Sequence, residues 1–228
     1  MKDILLEIVK KKESELNFNG ILELYQMVMH DARPPFTQGV FLFTEHADNE
    51  ISSFKAAVEL IGRDAAPEVF IIYGGGHGSP GYSNWYERLS VYIDKGRIRP
   101  VPIDNPTGIN TLSESDALVK FAINEKRKSF YIVAPPFHML RAFMTVASVA
   151  IRHGSKINFF AYPGASQDLN QSVMHSQGRD PPFPRWKWFE LELKTLSDYS
   201  EKNGIALAPG IIKYELIPKI VKYMQKRK

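Results

Sequence analysis

The chain has 228 residues, 44% hydrophobic and 24% charged, with a formal net charge of +4 and no cysteine. That length buries one sizeable core, and the composition is that of a packed globular domain rather than a disordered or fibrous chain. The absent cysteine excludes disulfide stapling, thiolate catalysis and cysteine-ligated zinc, and short basic runs such as Lys10-Lys11-Lys12 and Lys226-Arg227-Lys228 near the two ends do not make the clustered face of a nucleic-acid binder.

The first residues, Met1-Lys2-Asp3-Ile4-Leu5-Leu6-Glu7, carry acids inside their apolar pattern. No apolar run approaches the roughly 18 residues that a membrane span requires, so the expectation is a soluble, cytoplasmic protein without membrane contact. Ile4, Leu5, Ile8 and Val9, then Ile21, Leu22, Leu24, Tyr25 and Val28, recur at helical spacing and predict two helices interrupted around Asn17-Phe18-Asn19-Gly20. Pro34-Pro35 ends this preamble, and Gly39–Thr44 follows as a short apolar run typical of a buried parallel strand.

The pattern then alternates. A helix near Glu50–Ile61 precedes a strand at Glu68–Tyr73, a glycine-rich loop and a helix near Asn84–Lys95. An extended stretch follows at Ile98–Ile103, where Pro100 and Pro102 remove ladder donors and place the element at a sheet edge. Next come a helix from Leu112 to Lys126, a strand at Phe130–Val133, a helix from Phe137 to His153 and a strand at Ile157–Phe160. The stretch Ala165–Pro184, rich in Gly, Pro, Ser and Gln, reads as a long ordered loop or lid, and two amphipathic helices, Trp186–Asn203 and Ile211–Gln225, close the chain. Strands alternating with helices of this length imply right-handed crossovers. The predicted fold is α/β: a Rossmann-like three-layer sandwich with a mostly parallel sheet, an N-terminal helical preamble and C-terminal helices. A single domain spans 1–228, comprising a helical extension (1–36), a Rossmann-like core (37–165), a loop or lid (166–185) and terminal helices (186–228).

The loop Gly74-Gly75-Gly76-His77-Gly78-Ser79-Pro80-Gly81 follows a strand and precedes a helix. Glycines there allow positive φ and close approach of backbone to a ligand, and the next helix offers N–H groups to an anion. A tight structural turn would need the same residues. Asp104, about 20 residues on, stands where nucleotide binders place a ribose-binding acid. A nicotinamide fingerprint is disfavoured because another strand precedes this one, and the nucleophile-elbow pattern fails at His77.

Asn110-Thr111-Leu112-Ser113-Glu114-Ser115 contains T-x-x-E, for which a capping box of Thr111 and Glu114 is the plain reading, with Asn110 or Glu114 also able to face a site. His138 and Arg141 lie three apart at a helix start just beyond a strand, where open α/β sheets bind ligands, and suit a phosphate, carboxylate or polarised oxygen. His153, before Gly154, needs no more than the helix dipole, and His30, His46 and His175 have no partner pattern. None of the histidines has metal-ligand spacing, so no metal is expected. Tyr82, Trp85 and Tyr86 read as core, with stacking on a base or sugar as the alternative, and Glu87 is placed to contact a cationic or hydroxyl group.

Taken in order, Gly74-Gly75-Gly76, Glu87, Asn110-Thr111-Leu112-Ser113-Glu114-Ser115 and His138-Met139-Leu140-Arg141-Ala142 resemble the YdcF/SanA/ElyC-like family, a bacterial domain of unknown function. The likeness runs from Gly39 to Phe160, with an echo at Glu192, Tyr199 and Gly204. It departs where Thr44-Glu45-His46-Ala47-Asp48 replaces a glycine-rich turn and where Pro135-Pro136 precedes the histidine. The resemblance implies a Rossmann-like fold and, for the soluble YdcF-like branch, S-adenosylmethionine binding. The leading expectation is a small-molecule-binding protein holding S-adenosylmethionine or another nucleotide-like or anionic ligand. Its binding residues would be Gly74, Gly75, Gly76, His77, Gly78, Glu87, Asp104, Asn110 and Thr111. The alternative is a hydrolase or transferase at a phosphate or glycosyl linkage, with His138 as acid/base, Arg141 as charge clamp and Glu114 as orienter. A partner-binding module using Pro182-Phe183-Pro184-Arg185-Trp186 is a third.

Overall fold

The structure is a computed structural model that describes residues 18–73, 82–104, 109–174, 181–200 and 217–227. In chain order these form α1 (Phe18–Met29), β1 (Val40–Leu42), α2 (Ala47–Gly62), β2 (Val69–Tyr73), α3 (Tyr82–Leu89), a 3₁₀ turn (Lys95–Arg97) and β3 (Ile98–Pro102). They continue with α4 (Thr111–Asn124), β4 (Ser129–Ala134), α5 (Pro136–Arg152), β5 (Asn158–Pro163), the short β6 (Ser172–Val173) and β7 (Phe183–Pro184), α6 (Arg185–Ser200) and α7 (Ile217–Lys226). β1 to β5 make an all-parallel sheet in the order β3-β2-β1-β4-β5. The fold is the Rossmann-like sandwich that the alternation predicts, and β3 lies at the edge that its prolines demand.

Strand parity divides the interior. Val40, Leu42, Val69, Ile71, Tyr131 and Val133 face α2 and α3, where Phe54, Leu60, Trp85 and Leu89 cover them. Phe41, Phe43, Phe70, Ile72, Phe130 and Ile132 face α4 and α5, backed by Leu24 and Val28 of α1 and by Ile220 and Val221 of α7. Both faces are dry, so these strands read as unbroken apolar runs, each large side chain contributing about 1.5–3 kcal/mol on burial. Gly39 opens β1 because the rings of Phe70 and Phe130 press against its Cα: a Cβ there would sit 2.4 Å from Phe70 and 2.9 Å from Phe130.

Three helices hand the chain to the next strand in the same way. Asp64 (φ 56°), Lys126 (φ 55°) and Gly154 (φ 60°) are left-handed residues just past α2, α4 and α5. Ala65, Arg127 and Ser155 then donate back to Leu60, Ala122 and Ala150, the Schellman pattern that satisfies terminal carbonyls. Only one of the three positions is a glycine, so two of these stops have no glycine to announce them.

Other expectations shift. The two preamble helices were to break around Asn17-Phe18-Asn19-Gly20, yet Phe18, Asn19 and Gly20 are the first turn of α1, while Asn17 and the proposed earlier helix lie outside the described residues. α3 stops at Leu89, short of Lys95, because Asp94 caps the 3₁₀ turn through Gly96 N–H at 2.7 Å. The described part of the loop after β5 is held in place by side chains. Arg185 donates to Asn49 Oδ1, the Asp168 carbonyl, Gln171 Oε1 and the Asp48 carbonyl at 2.7–3.0 Å, while Met174 N–H bonds Asp48 Oδ2 at 2.9 Å.

The end of the chain closes the far side. Arg227, its side chain only 2% exposed, pairs with the equally enclosed Asp31 and the Phe159 carbonyl, and Asp31 also accepts Ala161 N–H at 2.8 Å. Removing one partner of such a pair strands the other charge. Arg227→Ala is therefore expected to destabilise the fold by about 3–5 kcal/mol in urea unfolding. A loss under about 1 kcal/mol would show that the pair is solvated.

Candidate functional site

Where the strand order reverses, between β1 and β4, a parallel sheet opens a crevice beyond the carboxyl ends of its strands. Four segments deliver polar side chains there: Thr44 and Glu45 just past β1, Thr111 and Glu114 at the start of α4, His138 and Arg141 in the first turns of α5, and Glu192 on α6. All are buried, Glu45 completely.

The α4 start depends on its cap. Asn110, in an extended conformation, accepts from Leu112 and Ser113 N–H at 2.9 and 3.1 Å, and Ser113 Oγ accepts Asn110 N–H at 2.9 Å. The capping box is thus Asn110 with Ser113, not Thr111 with Glu114 as the T-x-x-E spacing suggested. One step of register frees both Thr111 and Glu114 for the crevice.

Donor and acceptor counting orders the cluster. Arg141 Nη1 donates to Thr111 Oγ1 at 2.5 Å, and a guanidinium cannot accept. His138 Nε2 lies 3.1 Å from the same Thr111 Oγ1, and on the other side of the ring His138 Nδ1 lies 2.5 Å from Glu45 Oε1. The result is a carboxylate–imidazole–hydroxyl chain, Glu45–His138–Thr111, with the Phe43 ring against the imidazole at 5.9 Å between centroids. Arg141 is gripped by both oxygens of Glu192, through Nε and, at 2.7 Å, through Nη2, so its charge is balanced inside the protein.

Glu114 is held differently. Its Oε1 accepts both Thr44 N–H at 2.9 Å and Thr44 Oγ1–H at 2.8 Å. Burial pushes its carboxyl up to about 8; the Thr44 bonds and Arg141 pull it down, and the Glu45 charge raises it further. The proton it keeps at neutral pH belongs on Oε2, because Oε1 already receives two donors. Glu45 Oε2 is buried and has no hydrogen-bond partner.

The sequence-derived candidates separate accordingly. His138, Arg141, Glu114 and Thr111 meet in the cluster, and Asn110 supports it as a cap. The residue orienting the imidazole is Glu45 rather than Glu114, and Arg141 is committed to Glu192 rather than standing as an open clamp. Asp104 is 93% exposed and pairs with Lys120, and Glu87 pairs with Lys95 on the surface, so neither reaches the cluster. Gly74, Gly75, Gly76, His77, Gly78 and also His175 lie outside the described residues. Trp85 is core, edge-on to Phe54 at 5.2 Å. Tyr86 packs partly against the same core. His46 caps α2 through Asp48 N–H, His153 bonds Asp116 at 3.0 Å, and His30 lines a surface groove beside Tyr25 and Tyr162.

Thr44 and Glu45 were missed as site residues. An acid directly after an apolar strand was their one signal, because that is where the sheet's open edge falls.

Together these features define an α/β protein with a parallel sheet and a buried acid–imidazole–guanidinium cluster at its switch point. Comparison of the chain with protein-family models, curated proteins and solved structures gives no significant match.

The raised Glu114 value carries a stability consequence. The folded-state value lies above the ordinary 4.5, so the native state holds one proton more than the unfolded chain between about pH 4.5 and 8. This group's contribution to stability therefore falls as pH rises through that window, by an amount on the order of a few kcal/mol. Glu114→Gln should flatten that part of the profile in urea unfolding from pH 5 to 9. Identical slopes for wild type and variant would contradict the assignment.

Proposed function

We propose that the chain is a small-molecule-binding protein of the YdcF-like type, taking S-adenosylmethionine or another nucleotide-like ligand at the carboxyl edge of β1 and β4. The observation that carries this reading is convergence: Thr111, Glu114, His138 and Arg141, from two motifs that the family resemblance singles out, meet with Glu45 and Glu192 in one buried cluster. Polar groups are enclosed at such cost mainly where they are matched to one another or to a ligand. The balance of charge narrows the ligand. Three carboxyl groups surround one guanidinium that Glu192 already neutralises, so a bare anion finds little to attract it. A hydroxyl-bearing or cationic group fits better, and S-adenosylmethionine carries both a ribose and a sulfonium.

The Glu45–His138–Thr111 chain favours a second reading, a hydrolase or transferase in which His138 moves a proton. Both readings meet in one experiment: a thermal-shift screen with S-adenosylmethionine, adenosine nucleotides and sugar phosphates, each sample then analysed for product. A ligand at 100 times its Kd should stabilise the protein by about 2.7 kcal/mol. A shift without turnover supports the binding protein; turnover lost in His138→Ala supports the enzyme. No shift and no turnover with any of them would remove both.

A further inference from the structure

An apolar pocket of about 220 Å³ opens between α1, the start of α5, the loop after β5 and the first turns of α6. Tyr25, Phe137, Trp186 and Phe189 line it, with Tyr25 edge-on to Phe189 at 4.8 Å and its hydroxyl donating to the Pro136 carbonyl at 3.4 Å. Two of its large apolar side chains, Leu169 and Trp186, stand 58% and 50% exposed, and Trp186 N–H bonds the Leu169 carbonyl at 3.1 Å. Adjacent apolar side chains left in water at a pocket are the mark of a binding surface. Two polar side chains interrupt the lining. Gln167 Oε1 is buried and has no hydrogen-bond partner among the described residues. Buried Arg185 directs its donors to four neutral oxygens, and among the described residues no carboxylate forms an ion pair with it; Asp168 and Asp48 act on its charge from longer range.

We propose that this pocket binds a free, planar heteroaromatic molecule of the indole type, its single N–H donating to Gln167 Oε1. The pocket shares no lining residue with the polar cluster, so the two sites stand or fall separately. Volume, walls and polar groups each narrow the ligand. A cavity of roughly 150 Å³ holds a benzene ring, so this one takes a fused pair of rings and little more. Aromatic walls with the Arg185 cation among them favour a π system over an aliphatic chain. An amide oxygen buried without a partner carries a desolvation penalty that a ligand donor removes. One such oxygen matches one N–H. A purine would bring several ring nitrogens against apolar walls, where each needs a donor of its own.

The test is titration of the full, isotope-labelled chain with indole, benzothiophene, adenine and N-acetyltryptophanamide, followed by NMR of the side-chain N–H signals. Indole should bind on the order of tenfold more tightly than benzothiophene, which has its shape without the N–H. It should move the signals of Gln167 and Trp186 and leave that of Trp85, enclosed in the core, in place. In Gln167→Leu the preference should fall towards one, because the acceptor is gone while the ring contacts remain. In Trp186→Ala, at a half-exposed position, both ligands should weaken alike. Equal binding of indole and benzothiophene to the wild type, or binding of neither, would overturn the proposal. Tighter binding of adenine would overturn it in favour of a nucleobase, and tighter binding of N-acetyltryptophanamide in favour of a partner's tryptophan side chain.

Discussion

Three carboxyl groups, one guanidinium and one imidazole share a dry space at the edge of the sheet, and this scarcity of positive charge governs the rest of the site. Arg141 can balance one acid fully, and Glu192 takes it with both oxygens. Glu45 is then served by the imidazole, and Glu114, left with two neutral donors from Thr44, keeps a proton of its own. Each group's state follows from what its neighbours have already used.

The sheet makes this crowding possible. Parallel strands whose connections leave in opposite directions from β1 and β4 part at the carboxyl end, and the opening is lined by whatever follows each strand. β1 supplies Thr44 and Glu45, while the short link from β4 into α5, stiffened by Pro135 and Pro136, sets His138 at the third helical position. From there Arg141 lies on the same face one turn on, reaching Thr111 and Glu192 together. Asn110 completes the arrangement by taking over the cap of α4, without which Thr111 would spend its hydroxyl on backbone.

Much of the architecture could be read directly from the residues. Apolar runs marked β1, β2, β4 and β5 because burial on both faces leaves few polar positions, and Pro100 with Pro102 marked β3 as the edge because they cannot donate. His138 and Arg141 stood out through their spacing and their place after a strand. Other features depended on contacts that spacing does not encode. Glu192 lies 51 residues from Arg141, and Glu45 lies 93 from His138, so neither pairing has a local signature. The shift of the cap from Thr111 to Asn110 was one residue, within the latitude that propensity allows, yet it changed the role of two side chains. Asp104 matched a motif's spacing and Glu87 its place on the helix after the glycine loop, yet each pairs with a lysine at the surface, because position in the sequence does not fix the direction in which a side chain emerges.

The account stands on the edge of the sheet retaining a protonated carboxyl at neutral pH. Carboxyl carbon NMR on glutamate-labelled protein, with Glu114 assigned by its loss in Glu114→Gln, reads this directly. A single buried resonance titrating near pH 8 is the predicted result. A Glu114 signal that titrates in the ordinary carboxylate range, near 4.5, would mean that the crevice is wet and its charges screened, and would contradict the account.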